Sequence, residues 1–349
     1  MRPSPPTRFL LASAAAAAVT ATALRPADRF GPGASPAFAL GVPTSELPLH
    51  EAAVQAALLA LLARGGGARG LRGLLGLGLG AASAAGLWRL YRDAQDSRKV
   101  LEDALVEGLG PDYRSAIGAD YLPAPDVELT RRSVLLPDFL ARRRYVAAAG
   151  RDLSYGEAGR RNHLDVWHRA DLPAGSRAPV LLQVHGGAWV MGQKLGQAHP
   201  LMGHLAERGW VCVTINYRLS PRATWPDHIV DVKRAIAWTK ATIAEHGGDP
   251  GFLAITGGSA GGHLSSLAAL TPNLAAYQPG FEDKDTRVHA AVPFYGVYDM
   301  TDSAGTANRA LVRLLAQSVF KTSLDDDRAA WDLASPITHA GPEAPPFFV

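Results

Sequence analysis

The sequence predicts an α/β fold, a doubly wound and mainly parallel sheet preceded by an Ala/Gly-rich apolar segment. Three observations predict it. From residue 145 onward, short apolar or alternating runs give way repeatedly to stretches with helical spacing, the pattern of β–α units. The apolar runs are four to seven residues long and bounded by glycine, proline or aspartate, as strands are. Two of them run into glycine-rich turns.

The elements follow in order. Residues 162–167 alternate polar and apolar, as an edge-like strand does. Residues 180–184 form an apolar run that enters His185-Gly186-Gly187, as a central strand does. Residues 199–208 read as a helix and 210–216 as the next strand. Residues 226–246 carry helical spacing with Ile229, Val232, Ile236 and Ile243 inward, and Gly247-Gly248-Asp249-Pro250 ends the helix. A strand over 252–256, a helix over 260–270 and a strand over 288–294 complete the pattern.

Composition narrows the function classes. Of 349 residues 47% are apolar, enough for a sizeable core, and the net charge of +3 lacks the clustered basic faces of a nucleic-acid binder. Cys212 is the single cysteine, so no intrachain disulfide can form, and its apolar run makes it a buried strand residue. No C-x-x-C or histidine-rich spacing points to a metal.

Residues 1–92 differ from the rest: nine arginines face only Asp28, Glu46 and Glu51, and alanine, glycine and leucine dominate. Phe9 to Leu24 carries no charge, follows Arg2 and Arg8, and has small residues at 21–23, which fits a secretory signal or a short membrane helix. Residues 52–63 are too short to span a bilayer alone. Residues 73–88 are again uncharged, with Gly76, Gly80 and Ala84 spaced by four for close helix approach, and Trp88 and Tyr91 stand where interfacial aromatics stand. Sixteen residues rise only about 24 Å as a helix, short of the ~30 Å hydrocarbon core. A mobile leader therefore stands beside the membrane reading, and a cytoplasmic protein beside a membrane-associated or exported one. Residues 93–144 read as a linker or cap, and 145–349 as the catalytic domain.

Gly257-Gly258-Ser259-Ala260-Gly261 has the form G-x-S-x-G between a strand and a helix, the context that motif requires. Serine on such a turn adopts strained angles, small neighbours let the chain pass, and the hydroxyl is raised at the positive end of the helix. Small residues alone also make ordinary strand–helix turns. The second motif, His185-Gly186-Gly187-Ala188-Trp189, follows a central strand 74 residues before Ser259. Acyl transfer needs N–H donors set in advance for the oxyanion. Gly186, Gly187 and Ala260 are the expected donors, and His185 is expected to hold the loop. Trp189 is a candidate for the substrate pocket, against simple packing.

These motifs, with Asn216-Tyr217-Arg218-Leu219-Ser220-Pro221, Trp225-Pro226, Asp231, Gly248-Asp249-Pro250 and the Gly262-His263 that continues the serine motif, resemble the hormone-sensitive-lipase-like carboxylesterases of the α/β-hydrolase superfamily. They are closer to the H-G-G-x-W branch that includes kynurenine formamidases and feruloyl-esterase-like proteins. The leader is similar to that of mycobacterial-type esterases. The resemblance covers residues 145–349 and departs at Gly258, where many lipase-like members carry Asp. It implies a serine nucleophile, an acyl-enzyme and a small or lipid-like ester substrate, with no cofactor.

A serine nucleophile needs a histidine base and a carboxylate to orient it, in the order Ser, Asp or Glu, His. His263 matches the family's structural histidine, His289 starts a strand, and His339 follows Ala334-Ser335-Pro336. The resemblance implies that residues 345–349 begin the acid-bearing strand, so that acid, base and the last strands would lie beyond Val349. Asp299 is the acid available within the chain. The alternatives are a catalytically incomplete remnant that binds ligands or membranes, and a formamidase.

Overall fold

The computed structural model describes residues 3–25, 34–116, 138–173, 175–305 and 309–349, in two compact units, 1–124 and 125–349.

The second unit contains the sheet. Its helices and strands are α6 (Asp138–Tyr145), β1 (Leu153–Ser154), β2 (His163–Trp167), β3 (Ala178–Val184), α7 (His199–Glu207), β4 (Val211–Ile215), α8 (Asp227–Thr242), β5 (Gly248–Gly258), α9 (Ala260–Leu270), β6 (Ala290–Phe294), α10 (Arg309–Leu314) and α11 (Arg328–Ala334). The sheet order is β1-β2-β4-β3-β5-β6. β2 runs antiparallel to both neighbours, and the strands from β4 to β6 are parallel.

Alternation along the central strands sorts side chains onto two covered faces. Val180, Leu182, Val184, Val213, Ile215 and Ile255 join Ile229, Val232 and Ile236 of α8 and Leu264 and Leu267 of α9 in one core. Leu181, Cys212 and Ala254 face the other way, with Trp167, against Met202 of α7. All four inward residues expected of the 226–246 helix, Ile243 included, are fully buried. That helix gives way at Ile243 to a single 3₁₀ turn, and Gly247 closes it at φ +81°. β5 starts four residues earlier than its apolar run, because Gly248 already pairs with Ala178. The two-residue β1 is too short to leave a periodicity.

Residues 346–348 pair with the outer edge of β6. Ala291 N–H donates to Pro346 O and Phe348 N–H to Ala291 O, each at 3.0 Å, in a parallel bridge between Ala291 and Phe347. The residues expected to form a strand at 345–349 thus lie beside β6 and make one isolated bridge to it.

A buried ion cluster ties α6 and the loop after β3 to the sheet. Asp165 of β2 is fully buried and accepts Arg142 Nε at 2.8 Å and Arg142 Nη2 at 2.9 Å. Lys194 Nζ reaches both Asp165 at 2.5 Å and Asp152 at 2.6 Å.

The first unit is helical: α1 (Pro5–Leu24), α2 (Ala34–Glu46), α3 (Pro48–Leu62), α4 (Gly70–Leu109) and α5 (Tyr113–Ala116). α4 runs unbroken through residue 92, and part of the expected linker, 117–137, lies outside the described residues. The small-residue stripe of α4 is corrected. Gly76 packs on Phe9 of α1 and Gly80 on Leu59 of α3, but Ala84 faces outward, and buried Ser83 and Leu87 continue the stripe. Steps of four overshoot a 3.6-residue turn by about 40° each, so the inward face returns to steps of three. Ser83 joins three helices: Thr20 Oγ1–H donates to Ser83 Oγ at 2.7 Å and Ser83 Oγ–H to Gln55 Oε1 at 2.7 Å.

Replacing Asp165 with alanine leaves Arg142 and Lys194 short of their buried counter-charge. The expected cost is about 3–5 kcal/mol of folding stability, read as a lower urea midpoint.

Candidate active site

Ser259 is the single residue between β5 and α9, held at φ 55°, ψ −119°. Angles of this kind cost on the order of 1–3 kcal/mol in a non-glycine residue and persist only where the surroundings impose them. Here Ser259 N–H donates to Phe294 O at 2.9 Å, and Ser259 O accepts His263 N–H at 2.9 Å. The crossing is tight: a Cβ on Gly261 would stand 2.1 Å from Val184 O, so only glycine fits. The Ser259 side chain is half-exposed, and its hydroxyl makes no hydrogen bond among the described residues.

The loop after β3 passes beside it. A Cβ on Gly186 would lie 2.6 Å from Gly258 O and 3.5 Å from Ser259 Cβ. Gly187, Ala188 and Trp189 follow at φ +126°, +51° and +60°, a run of left-handed residues that turns the main chain sharply. The expected donors are thus brought to the serine, with one change. Gly186 N–H is already taken by Gln197 Oε1 at 2.7 Å. The N–H groups of Gly187, Ala188 and Ala260 have no acceptor among the described residues. Neither Gln197 nor the Ala188 amide was singled out from the sequence: a glutamine in a loop carries no motif, and amide direction follows from φ.

Trp189 is core, which corrects its reading as a pocket wall. It is 1% exposed, its indole N–H donates to His263 Nδ1 at 3.1 Å, and the two rings meet edge to face at 5.3 Å. His263 Nε2–H in turn donates to Ala334 O at 2.8 Å. Both ring nitrogens are thereby used in the neutral tautomer, and burial holds the imidazole down to about 3. His185 is buried beneath the loop, stacked 4.3 Å from Tyr217, with Nδ1–H on Gly186 O at 2.8 Å, and burial holds it to about 4. Asp231 is structural too. Its carboxylate, 1% exposed, takes the Arg218 N–H at 2.8 Å and its guanidinium at 2.8–3.1 Å.

Asp299 sits in the loop after β6, but its carboxylate serves that loop. It accepts the N–H and hydroxyl of Thr301 at 2.8 and 2.7 Å and those of Ser303 at 2.9 and 2.5 Å. These hydrogen bonds bring its pKa down to about 2 against the opposing effect of partial burial, and no imidazole donates to it among the described residues. The other later histidines are engaged elsewhere: His289 Nδ1 accepts Leu253 N–H at 3.0 Å, and His339 Nε2 lies 2.9 Å from Leu333 O. No group of three or more metal-ligating side chains occurs among the described residues.

A β5–Ser–α9 elbow at the edge of a glycine-rich loop, on this sheet order, defines the class as an α/β-hydrolase. The chain belongs to the BD-FAE family, whose model matches residues 164–349, and it is an esterase-type member similar to mycobacterial enzymes. It is 50% identical over 342 residues to a probable carboxylic ester hydrolase, LipM, of Mycobacterium tuberculosis, covering 97% of this chain and 78% of the relative. It is 50% identical over 258 residues to Esterase LipQ of the same organism, covering 73% of this chain and 61% of that one. Among solved structures, a bifunctional GH43-CE protein of Bacteroides eggerthii matches with a TM-score of 0.50 and 26% identity, over 56% of this chain and 27% of that one.

The neutral histidines set an acid limit. Burial depresses His185 to about 4 and His228 and His263 to about 3, from an ordinary 6.5. The unfolded chain then takes up protons that the folded one refuses, so the stability these rings contribute is full well above 6.5 and falls as pH drops towards 3. Urea midpoints measured through that window are expected to decline steadily, with little change between neutrality and pH 6.5.

Proposed function

We propose that the protein hydrolyses carboxylic esters through Ser259 and an acyl-enzyme. The observation that carries this reading is the strained Ser259 backbone, φ 55°, ψ −119°, beside a glycine loop with unpaired amides. The Ser259 oxygen attacks the ester carbonyl carbon, and the carbonyl oxygen gains the negative charge. N–H groups of Gly187, Ala188 and Ala260 receive it, with Gly186 available only if Gln197 withdraws. The C–O bond to the alcohol breaks, the alcohol leaves with a proton, and water then releases the acid. The substrate is a small-molecule or lipid-like ester.

The serine proton needs an imidazole. His263, His289 and His339 are each committed to other partners, so this reading assigns neither base nor orienting acid within residues 1–349. Donors and binding alone leave roughly 10³–10⁴-fold catalysis over water. We expect weak turnover of p-nitrophenyl esters by residues 1–349, and much faster turnover when sequence continuing the strand at 346–348 is joined. Ser259→Ala should abolish the fast turnover and leave at most the weak one, and an activated phosphonate should label Ser259 by mass spectrometry. Labelling elsewhere, or fast turnover surviving Ser259→Ala, contradicts the assignment.

The first unit is proposed to hold the protein at a membrane. α1, with 20 residues, and α4, with 40, are long and apolar enough to cross, and the bent α2–α3 pair passes the same test. Leu71, Leu74, Leu75 and Leu77 are 48–74% exposed. Leu74→Arg with Leu77→Arg should move the protein from the membrane to the soluble fraction, since each charge costs about 2.5–3.5 kcal/mol at a helix centre in the bilayer. Unchanged sedimentation with membranes would speak against it.

A further inference from the structure

Beside the nucleophile stands a residue that the chemistry above does not use. Tyr295, the first residue after β6, has φ +41°, rare for an aromatic residue and a sign of imposed strain. It is also 79% exposed, so burial of its ring does not compensate that strain. Its place is fixed from two directions. The preceding residue, Phe294, accepts Ser259 N–H at 2.9 Å and pairs with Gly258 across the sheet. The phenol lies against Gly258 itself: a Cβ there would stand 2.8 Å from the Tyr295 hydroxyl oxygen and 3.0 Å from Cζ. The ring thus fills the space a side chain would take on the residue before the serine.

The surroundings are apolar on both flanks. Phe294 is 48% exposed, and its ring lies 6.5 Å from that of Tyr295. On the other side, Met191 is 64% exposed, with its Cγ 3.1 Å from where a Gly187 Cβ would be. Apolar side chains next to an unpaired hydroxyl and unpaired amides are the mix of groups that a site for an apolar ligand presents.

We infer that Tyr295 is a specificity-determining residue of the Ser259 site, whose ring forms the wall that receives the apolar chain of the ester, with Met191 of the glycine loop as a second apolar contact. The inference rests on the proposed serine mechanism for the identity of the ligand. It gives the strained aromatic a role at this position, and it gives the ring the leading role over its hydroxyl.

The test uses the whole chain and needs no turnover. Dissociation constants of methyl and heptyl trifluoromethyl ketones are measured by fluorine NMR for the wild type, Tyr295→Ala, Tyr295→Phe and Tyr295→Gly. Tyr295→Ala should weaken the heptyl ketone by about tenfold, as expected for a lost apolar contact of about two methylenes, and the methyl ketone by less than about threefold. Tyr295→Phe should bind both like wild type. Tyr295→Gly should lose the same chain selectivity while melting at an equal or higher temperature, because glycine adopts positive φ without strain. Equal weakening of both ketones, no weakening of either, loss of selectivity in Tyr295→Phe, or a lower melting temperature in Tyr295→Gly overturns the inference, as does failure of the wild type to bind the heptyl ketone. Ser259→Ala separates the two ideas: ketone affinity unchanged by it defeats the serine reading, whereas Tyr295 variants without selectivity effects defeat this inference alone.

Discussion

The close passage of α9 beneath the end of β3 governs the site. Gly261 approaches the Val184 and His185 carbonyls so nearly that a Cβ would fall 2.1 Å and 2.8 Å from them. That contact brings the first turn of α9 under β3, and the chain can reach it from β5 only by reversing direction within one residue. Ser259 is that residue, and its left-handed φ follows from the distance to be covered. The same contact brings the loop after β3 alongside the serine, since Val184 and His185 lead directly into it. The position of Ser259, its backbone strain and the placement of the loop amides are consequences of one packing distance.

The glycine loop has few regular hydrogen bonds, so its shape is held by what lies under it. Trp189 anchors one end through His263 and Ala334 O. Tyr217 holds the other, its hydroxyl on His185 O at 3.0 Å and its ring on the imidazole. Farther along, Lys194 draws the loop onto Asp165 while its N–H bonds Asn216 Oδ1 at 2.6 Å. These are polar contacts in a dry interior, where a satisfied network is rigid and a broken one is costly. His185 and His263 contribute as neutral rings, so the shape of the loop is coupled to pH through buried groups beneath it.

Much of this was legible in the sequence. Central parallel strands are buried on both faces, so 180–184 and 210–216 stand out as apolar runs, and α9 falls on 260–270 as its pattern predicts. The pairing of two glycine motifs located the turn at Ser259 and the loop beside it because backbone constraints there restrict residue choice. What failed to show was direction. Trp189 looks the same in a pocket wall as in a core, and only three successive positive φ values turn it inward. Asp299 has the right position after a strand, but the Thr301 and Ser303 two and four residues on bind it locally. The extent of α4 was missed because its second half is charged and polar, which reads as a linker although the same residues sustain helical i,i+4 pairs such as Lys99 with Asp103.

The helical unit inverts the polarity of the hydrolase core. Its interior carries the chain Thr20, Ser83, Gln55 and Glu51, each linked to the next by a hydrogen bond of 2.7–3.0 Å. Its exterior carries leucines. In water such an arrangement forgoes the hydrophobic contribution, because the exposed leucines gain nothing from the fold. In hydrocarbon the balance reverses: exposed leucine costs nothing, small residues such as Gly76 let helices touch, and hydroxyl and carboxamide groups contribute most when satisfied by neighbouring helices. Ser83 in the stripe of α4 places a hydroxyl at a level where α1 and α3 each offer a polar partner.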